Sequence, residues 1–212
     1  MSTTHRLAML LVERGFVRRD DSSKRYLSGP QLERLGLRSL GRLPDPARFE
    51  AVVARLAVAT GESVSLGLVL SNEIVLAARR ESAHSLRQVV NVGDVVPAHT
   101  SAMGKSILAD LERDEQLRLL ARDGVDPVLT LAGLAGELDG VRQDGFARDE
   151  QTFAVGLRCV AASFSDGRDH VVGGISVAGP AARFSSERAM QVVPVLLAEA
   201  DSLSHELGAH AG

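Results

Sequence analysis

The feature that most constrains the fold is a pair of apolar segments, residues 156–162 and 173–180, separated by a short polar stretch. Both are rich in small and β-branched side chains, and Asp166 followed by Gly167 is typical of a tight turn, so the pattern predicts two antiparallel strands. Small residues leave room above the second strand, and such room is often a ligand cavity. They are Gly173, Gly174, Ser176 and Ala178. The single cysteine, Cys159, faces this region from the first strand, although an ordinary tight sheet core explains the same residues equally well.

Length and composition limit the class of protein. A chain of 212 residues with 45% hydrophobic and 24% charged residues suits one large domain, alone or with a small appendage. One cysteine excludes an internal disulfide framework and fits a reducing compartment. We find no apolar run long enough to span a membrane and no signal peptide, so we expect a cytoplasmic protein without a membrane partner. The 3% aromatic content argues against a base-stacking platform for single-stranded nucleic acid.

Charge is distributed unevenly along the chain. Residues 1–42 contain nine Lys and Arg against four Asp and Glu, a net +5, so the rest carries −8 within a total of −3. A basic end on an acidic body suggests an appendage that binds a polyanion. A solvated basic surface is the simpler explanation.

The N-terminal segment has the pattern of a helix followed by a charged hairpin. Leu7, Leu10 and Leu11 share one face of a helix that Ser2 caps and Gly15 ends, and the hairpin turn is expected near residues 22–23. This is the arrangement of a winged helix, whose helix enters a major groove while its hairpin follows phosphates. A small cap on the next domain is the alternative. The candidate DNA contacts are the polar start of the helix and the hairpin cations: Ser2, Thr3, Thr4, His5, Arg6, Arg18, Arg19, Lys24 and Arg25.

Helices and strands then alternate in the order of a mixed domain. Helical periodicity covers residues 31–40, and a second helix follows Pro46 and ends before Gly61. Period-two alternation predicts strands at 63–70, 73–79 and 86–93, with a turn at residues 71–72. Later helices are predicted at 114–121 and 136–143, with a break at Gly133, and a long terminal helix begins at Ser185 and is kinked at Pro194. The helix after Pro46 serves either as a linker or as a part of the following domain.

A run of small residues opens a helix near position 101. The sequence Gly104-Lys105-Ser106 matches the end of a phosphate-binding loop, but His99 occupies the position of the first glycine, so we reject nucleotide hydrolysis. A helix start with exposed N–H groups and no bulky side chains attracts an anion such as a small carboxylate. Simple capping by Thr100 or Ser101 is the alternative.

Catalytic and metal sites are not indicated. Cys159 with His99 is one candidate nucleophile and base pair, but no third residue that would orient them is evident. The six histidines are scattered without metal-ligand spacing. We therefore expect no enzyme activity, no metal and no cofactor.

Several segments resemble the IclR family of bacterial transcriptional regulators. Residues 2–7 and 11–17 look like the recognition helix and the entry to the wing, and the similarity is most specific at residues 99–105, 156–159 and 175–180. The resemblance implies an α+β chain: a partial winged helix-turn-helix at 1–29, linker helices at 30–61, and a GAF-like effector-binding domain at 62–212. That domain would contain a mainly antiparallel sheet flanked by helices.

The resemblance also implies a function and a site. The chain would be a transcriptional regulator that binds a small effector and double-stranded operator DNA as a homodimer or homotetramer. The effector pocket would be lined by Ala102, Met103, Asp149, Cys159, Ser176 and Ala178. Backbone N–H groups near Ala102 would hold a carboxylate, and Asp149 would repel one unless it is protonated or binds a hydroxyl group. Because the family often has serine at position 178, the alanine favours a less polar ligand, and aromatic acids are as plausible as short keto acids.

One difference from the family concerns the N-terminus. The helices that precede the recognition helix in the family have no counterpart after Met1, so we expect a start upstream and poor DNA binding by residues 1–212 alone. A stand-alone small-molecule sensing module without DNA binding is the alternative function.

Overall fold

The computed structural model describes residues 3–20, 25–32, 35, 46–85 and 90–208. Contacts between residues divide the chain into an N-terminal unit, Met1–Pro46, and a C-terminal unit, Ala47–Gly212. None of the helices in the described ranges is long and apolar enough to cross a membrane.

The N-terminal unit contains the predicted helix and hairpin. Helix α1 (Thr3–Glu13) precedes strands β1 (Val17–Arg19) and β2 (Tyr26–Ser28), which pair antiparallel. Leu7, Leu10 and Leu11 are all exposed, Leu7 to 56%, so the apolar face of α1 is largely uncovered. The predicted cap at Ser2, the turn near residues 22–23 and most of the helix at 31–40 lie outside the described residues.

The C-terminal unit is built on one six-stranded sheet. Its strands are β3 (Ser63–Leu70), β4 (Glu73–Arg80), β5 (Val95–Val96), β6 (Ala147–Glu150), β7 (Leu157–Ser165) and β8 (Val171–Pro180). They lie in the order β5-β4-β3-β8-β7-β6, and every recorded neighbour pair is antiparallel. The described residues of this unit form five helices, of which the first begins one residue earlier, at Pro46. They are α2 (Pro46–Thr60), α3 (Ala102–Asp110), α4 (Arg113–Arg122), α5 (Pro127–Asp144) and α6 (Ser186–Gly208). The predicted mainly antiparallel sheet flanked by helices is confirmed.

Alternation along β7 separates the two covered faces of the sheet. Leu157, Cys159 and Ala161 point to the same side and join an apolar cluster with α3, α4 and α5. Phe164 points to the opposite side, where its ring centroid lies 6.5 Å from that of Phe49 in α2. The helix after Pro46 therefore buries its apolar face against the sheet. Of the two roles that the sequence left open, linker or part of the following domain, this contact supports the second.

Glycines bring α3 close to the sheet. A Cβ atom at Gly67 would lie 2.6 Å from Sδ of Met103, and one at Gly174 would lie 3.0 Å from Cγ of the same side chain. The room above Gly174 is therefore filled by α3. The expectation that Gly173 and Gly174 open a ligand cavity is wrong, because Gly173 also packs against Gly67 and Phe164.

Three predicted elements differ in detail. Helix α5 runs through Gly133 without a break, because its buried side chains, among them Leu138, hold the helix against the cost of about 1 kcal/mol for an internal glycine. The β7–β8 connection spans residues 166–170, where the Asp166 carboxylate accepts from the backbone N–H of His170 and the left-handed residue is Asp169. In the segment 86–93, residues 86–89 lie outside the described part and the remainder is a turn before β5.

Candidate functional site

A cavity of about 60 Å³ lies between the sheet and the start of α3. Three neighbouring strands provide its floor, since Ser65 of β3 is paired with Ser176 of β8, and Cys159 of β7 is on the same face. The segment that ends in β5 and the loop after β6 provide the walls. The lining residues are Ser65, Leu76, Val90, Asp94, Val95, Val96, Ser101, Ala102, Met103, Asp149, Phe153, Leu157, Cys159 and Ser176.

The structure brings together five of the six predicted effector residues. Ala102, Met103, Asp149, Cys159 and Ser176 all line this one cavity. Ala178 does not line it, although it pairs with Cys159 in the sheet and is buried in the adjacent apolar cluster. Ser65 was not among the predicted site residues. Its sequence context contains a signal, since serines alternate with aliphatic residues at 63–66 and so face one side of the sheet.

The start of α3 lines the cavity and contains two N–H groups without a hydrogen-bond partner among the described residues. Ser101 caps the helix, because its Oγ accepts from the N–H of Gly104 at 2.9 Å and its carbonyl accepts from the N–H of Lys105. The N–H groups of Ala102 and Met103 lie in the first turn and have no carbonyl partner within the helix. No described residue accepts from them either. The helix start is therefore capped by Ser101 and still has two N–H groups that an anion could bind, so the two alternatives that the sequence offered do not exclude each other.

The loop before α3 is fixed by one carboxylate. Oδ2 of Asp123 accepts from the backbone N–H groups of Ala98 and His99, at 2.7 and 3.1 Å, and lies 2.6 Å from Nδ1 of His99. Ser101 also donates through Oγ to the carbonyl of Pro97. His99 is thus engaged by Asp123, and it does not form a hydrogen-bonded pair with Cys159 as the nucleophile hypothesis required.

Asp149 is a buried carboxylate at the cavity wall. It is 1% exposed and lies opposite Cys159 in the β6–β7 pairing. Its Oδ1 accepts from the backbone N–H groups of Thr152 and Phe153, at 2.8 and 3.2 Å. Its Oδ2 is buried and has no hydrogen-bond partner in the described structure.

Cys159 is held as a thiol. Burial and, to a smaller extent, the nearby Asp149 carboxylate raise its pKa to about 12, and a hydrogen bond with Ser176 acts in the opposite direction. Its Sγ makes a long contact of 3.7 Å with the carbonyl of Val160. A thiol with a raised pKa is a poor nucleophile and a weak hydrogen-bond donor, so Cys159 suits a cavity wall better than a catalytic role.

The candidate DNA contacts lie in the N-terminal unit. Thr3, Thr4, His5 and Arg6 are exposed on the first turn of α1, and Arg18, Arg19 and Arg25 are exposed in or beside the hairpin. Ser2 and Lys24 lie outside the described residues. Groups of three or more potential metal ligands are not found among the described residues.

Comparison with known families and proteins places the chain among bacterial regulators. The family model described as "Bacterial transcriptional regulator IclR C-terminal" matches residues 39–205. The HTH-type transcriptional regulator KdgR of Escherichia coli is 29% identical over 216 residues, covering 99% of this chain and 81% of the relative. The transcriptional repressor IclR of Escherichia coli is 26% identical over 214 residues, covering 98% of this chain and 78% of the relative.

A solved structure shows the same architecture. The crystal structure of IclR from Thermotoga maritima superposes with a TM-score of 0.73 at 28% sequence identity. The match covers 98% of this chain and 87% of that one.

Proposed function

The chain belongs to the IclR family of bacterial transcriptional regulators, and from this we propose that a small carboxylic acid bound in the cavity controls its binding to operator DNA. Its named relatives are regulators of transcription, which confirms the predicted function class and the prediction that the chain is not an enzyme. The observation that carries the effector proposal is the pair of N–H groups at the start of α3, open to a cavity that five predicted residues line.

The anion would bind at the first turn of α3. Backbone N–H groups and the helix dipole both favour a carboxylate at Ala102 and Met103. Ser176, whose Oγ makes a long 3.5 Å contact with the carbonyl of Ser65 besides its hydrogen bond with Cys159, can turn its hydroxyl to the same ligand. Cys159 would provide apolar contact and a weak donor.

The size of the cavity favours a short acid over an aromatic one. About 60 Å³ is a few times the minimum of about 10–15 Å³ that a cavity needs to hold one water molecule. A space of this size suits a short acid, such as one with three carbons. An aromatic acid is larger and would require the walls to move.

The N-terminal unit would contact DNA. Exposed polar and basic residues on α1 and the β1–β2 hairpin suit a recognition helix and a phosphate-tracking wing. We propose segments 1–29 for DNA contact, 30–61 as linker and 62–212 for effector binding, in a cytoplasmic homodimer or homotetramer. A ligand that binds one state of that assembly more tightly would shift its affinity for the operator.

Substitution at Cys159 tests the cavity. Cys159→Leu should abolish stabilisation by small acids, because the longer side chain extends into the space that the ligand needs. Overpacking should cost about 1–3 kcal/mol, which leaves the protein folded. The measurement is the shift in thermal midpoint produced by millimolar acids such as pyruvate and lactate.

The matched control is Cys159→Ser, which keeps the residue small. It should retain most of the ligand-induced shift. Equal shifts in wild type and Cys159→Leu would show that the acid binds elsewhere and would exclude this cavity as the effector site.

A further inference from the structure

The cavity contains a buried carboxylate oxygen that nothing in the described structure satisfies. Oδ2 of Asp149 belongs to a residue that is 1% exposed, and no donor reaches it. Buried acceptors are almost always paired, since an unsatisfied one loses its hydration without compensation. A group other than the described residues is therefore expected to donate to this oxygen.

The two oxygens of Asp149 have different roles. Backbone N–H groups of Thr152 and Phe153 both donate to Oδ1, which fixes the orientation of the side chain. Oδ2 is left without a donor in a residue that lines the cavity, and a carboxylate oxygen accepts hydrogen bonds. The group that binds there must carry an O–H or N–H.

The described residues that line the cavity include the hydroxyls of Ser65, Ser101 and Ser176, but none of them donates to this oxygen. No lysine, arginine or histidine is found among the described residues that line it. Cys159 is a weak donor, and its Sγ contacts the carbonyl of Val160. Donors for the opposite end of a ligand exist, however, in the N–H groups of Ala102 and Met103 at the start of α3.

We infer that the effector is a small 2-hydroxy acid rather than the corresponding 2-oxo acid, an inference that depends on the proposed function of the cavity. Its carboxylate binds the N–H groups of Ala102 and Met103, and its hydroxyl donates to Oδ2 of Asp149. A keto oxygen at the same position offers only lone pairs to the carboxylate and is repelled. The volume of about 60 Å³ favours a short acid, such as one with three carbons.

Lactate and pyruvate form a matched pair of probes, because they share a carbon skeleton and differ in the hydroxyl group. Calorimetric titration of the wild-type chain should show at least one lactate enantiomer binding about tenfold or more tightly than pyruvate. This comparison uses only the wild type, so it does not depend on the folding of any variant.

The variant Asp149→Asn should reverse the preference. Its amide oxygen would take the two backbone hydrogen bonds, and its NH₂ group would then face the cavity and donate to a keto oxygen. We expect the affinity for lactate to fall and the affinity for pyruvate to rise, each by about tenfold. The thermal midpoint of the free variant checks that it is folded.

The outcomes separate this inference from the proposed function. Equal affinities, tighter binding of pyruvate to the wild type, or no binding of either acid would overturn the hydroxy-acid assignment. The cavity would nevertheless remain the proposed effector site if whichever acid binds loses its affinity in Cys159→Leu. Retention of that affinity in Cys159→Leu would overturn both.

Discussion

Gly104→Ala should destabilise the C-terminal unit by about 3 kcal/mol or more and abolish effector binding. A Cβ atom at this position would lie 2.3 Å from the carbonyl oxygen and 2.4 Å from Cα of Ala98. Both are backbone atoms of the loop that Asp123 holds in place, so the neighbour cannot move away by changing a rotamer. Relief requires the start of α3 to shift, which displaces the N–H groups proposed to bind the acid.

The same substitution on α5 provides a control of opposite sign. A Cβ at Gly133 meets no atom within 4 Å, so Gly133→Ala should stabilise the chain by about 0.5–1 kcal/mol through helix propensity. Urea denaturation of both variants, followed by titration with lactate, measures the two effects. If Gly104→Ala is as stable as the wild type, α3 does not approach the backbone of Ala98 closely enough to exclude a Cβ atom.

Phe49→Ala should cost about 3–5 kcal/mol of unfolding free energy, the usual range for deleting a buried phenylalanine side chain. Phe49 is 2% exposed and packs with Phe164, which is 1% exposed on the strand β7. The loss would show that α2 is part of the C-terminal core as well as a connection. Chemical denaturation followed by circular dichroism measures this change in the free energy of unfolding.

Val58→Ala is the control on the same helix. Val58 is 87% exposed, so its truncation should change the stability of the folded chain by no more than about 0.5 kcal/mol. A small effect of Phe49→Ala, similar to that of Val58→Ala, would mean that α2 does not contribute its apolar face to this core.

The strands, and the strand positions of the main candidate site residues, could be predicted from the sequence because they depend on local pattern. Alternation and turn signals located β3, β4, β7 and β8, and the resemblance to a family placed Cys159 and Ser176 in one pocket. Adjacent antiparallel strands then bring such residues together with little further information. The Ser101 cap was likewise one of two candidates that the sequence offered.

Long-range packing decided what the sequence could not. Whether the space above Gly174 is cavity or helix depends on Met103, which is distant in the chain and fills it. The Asp123 contact with the loop before α3 spans 24–25 residues and has no local signature. The sequence also gave no sign that Oδ2 of Asp149 is unsatisfied, because this depends on the loop after β6, whose two backbone N–H groups both donate to Oδ1.

The most direct test of the effector site is a crystal structure of this chain grown with lactate. We predict electron density for the acid in the cavity, with its carboxylate about 3 Å from the backbone nitrogens of Ala102 and Met103. A cavity closed by the protein's own side chains, with lactate bound elsewhere or not at all, would contradict the account.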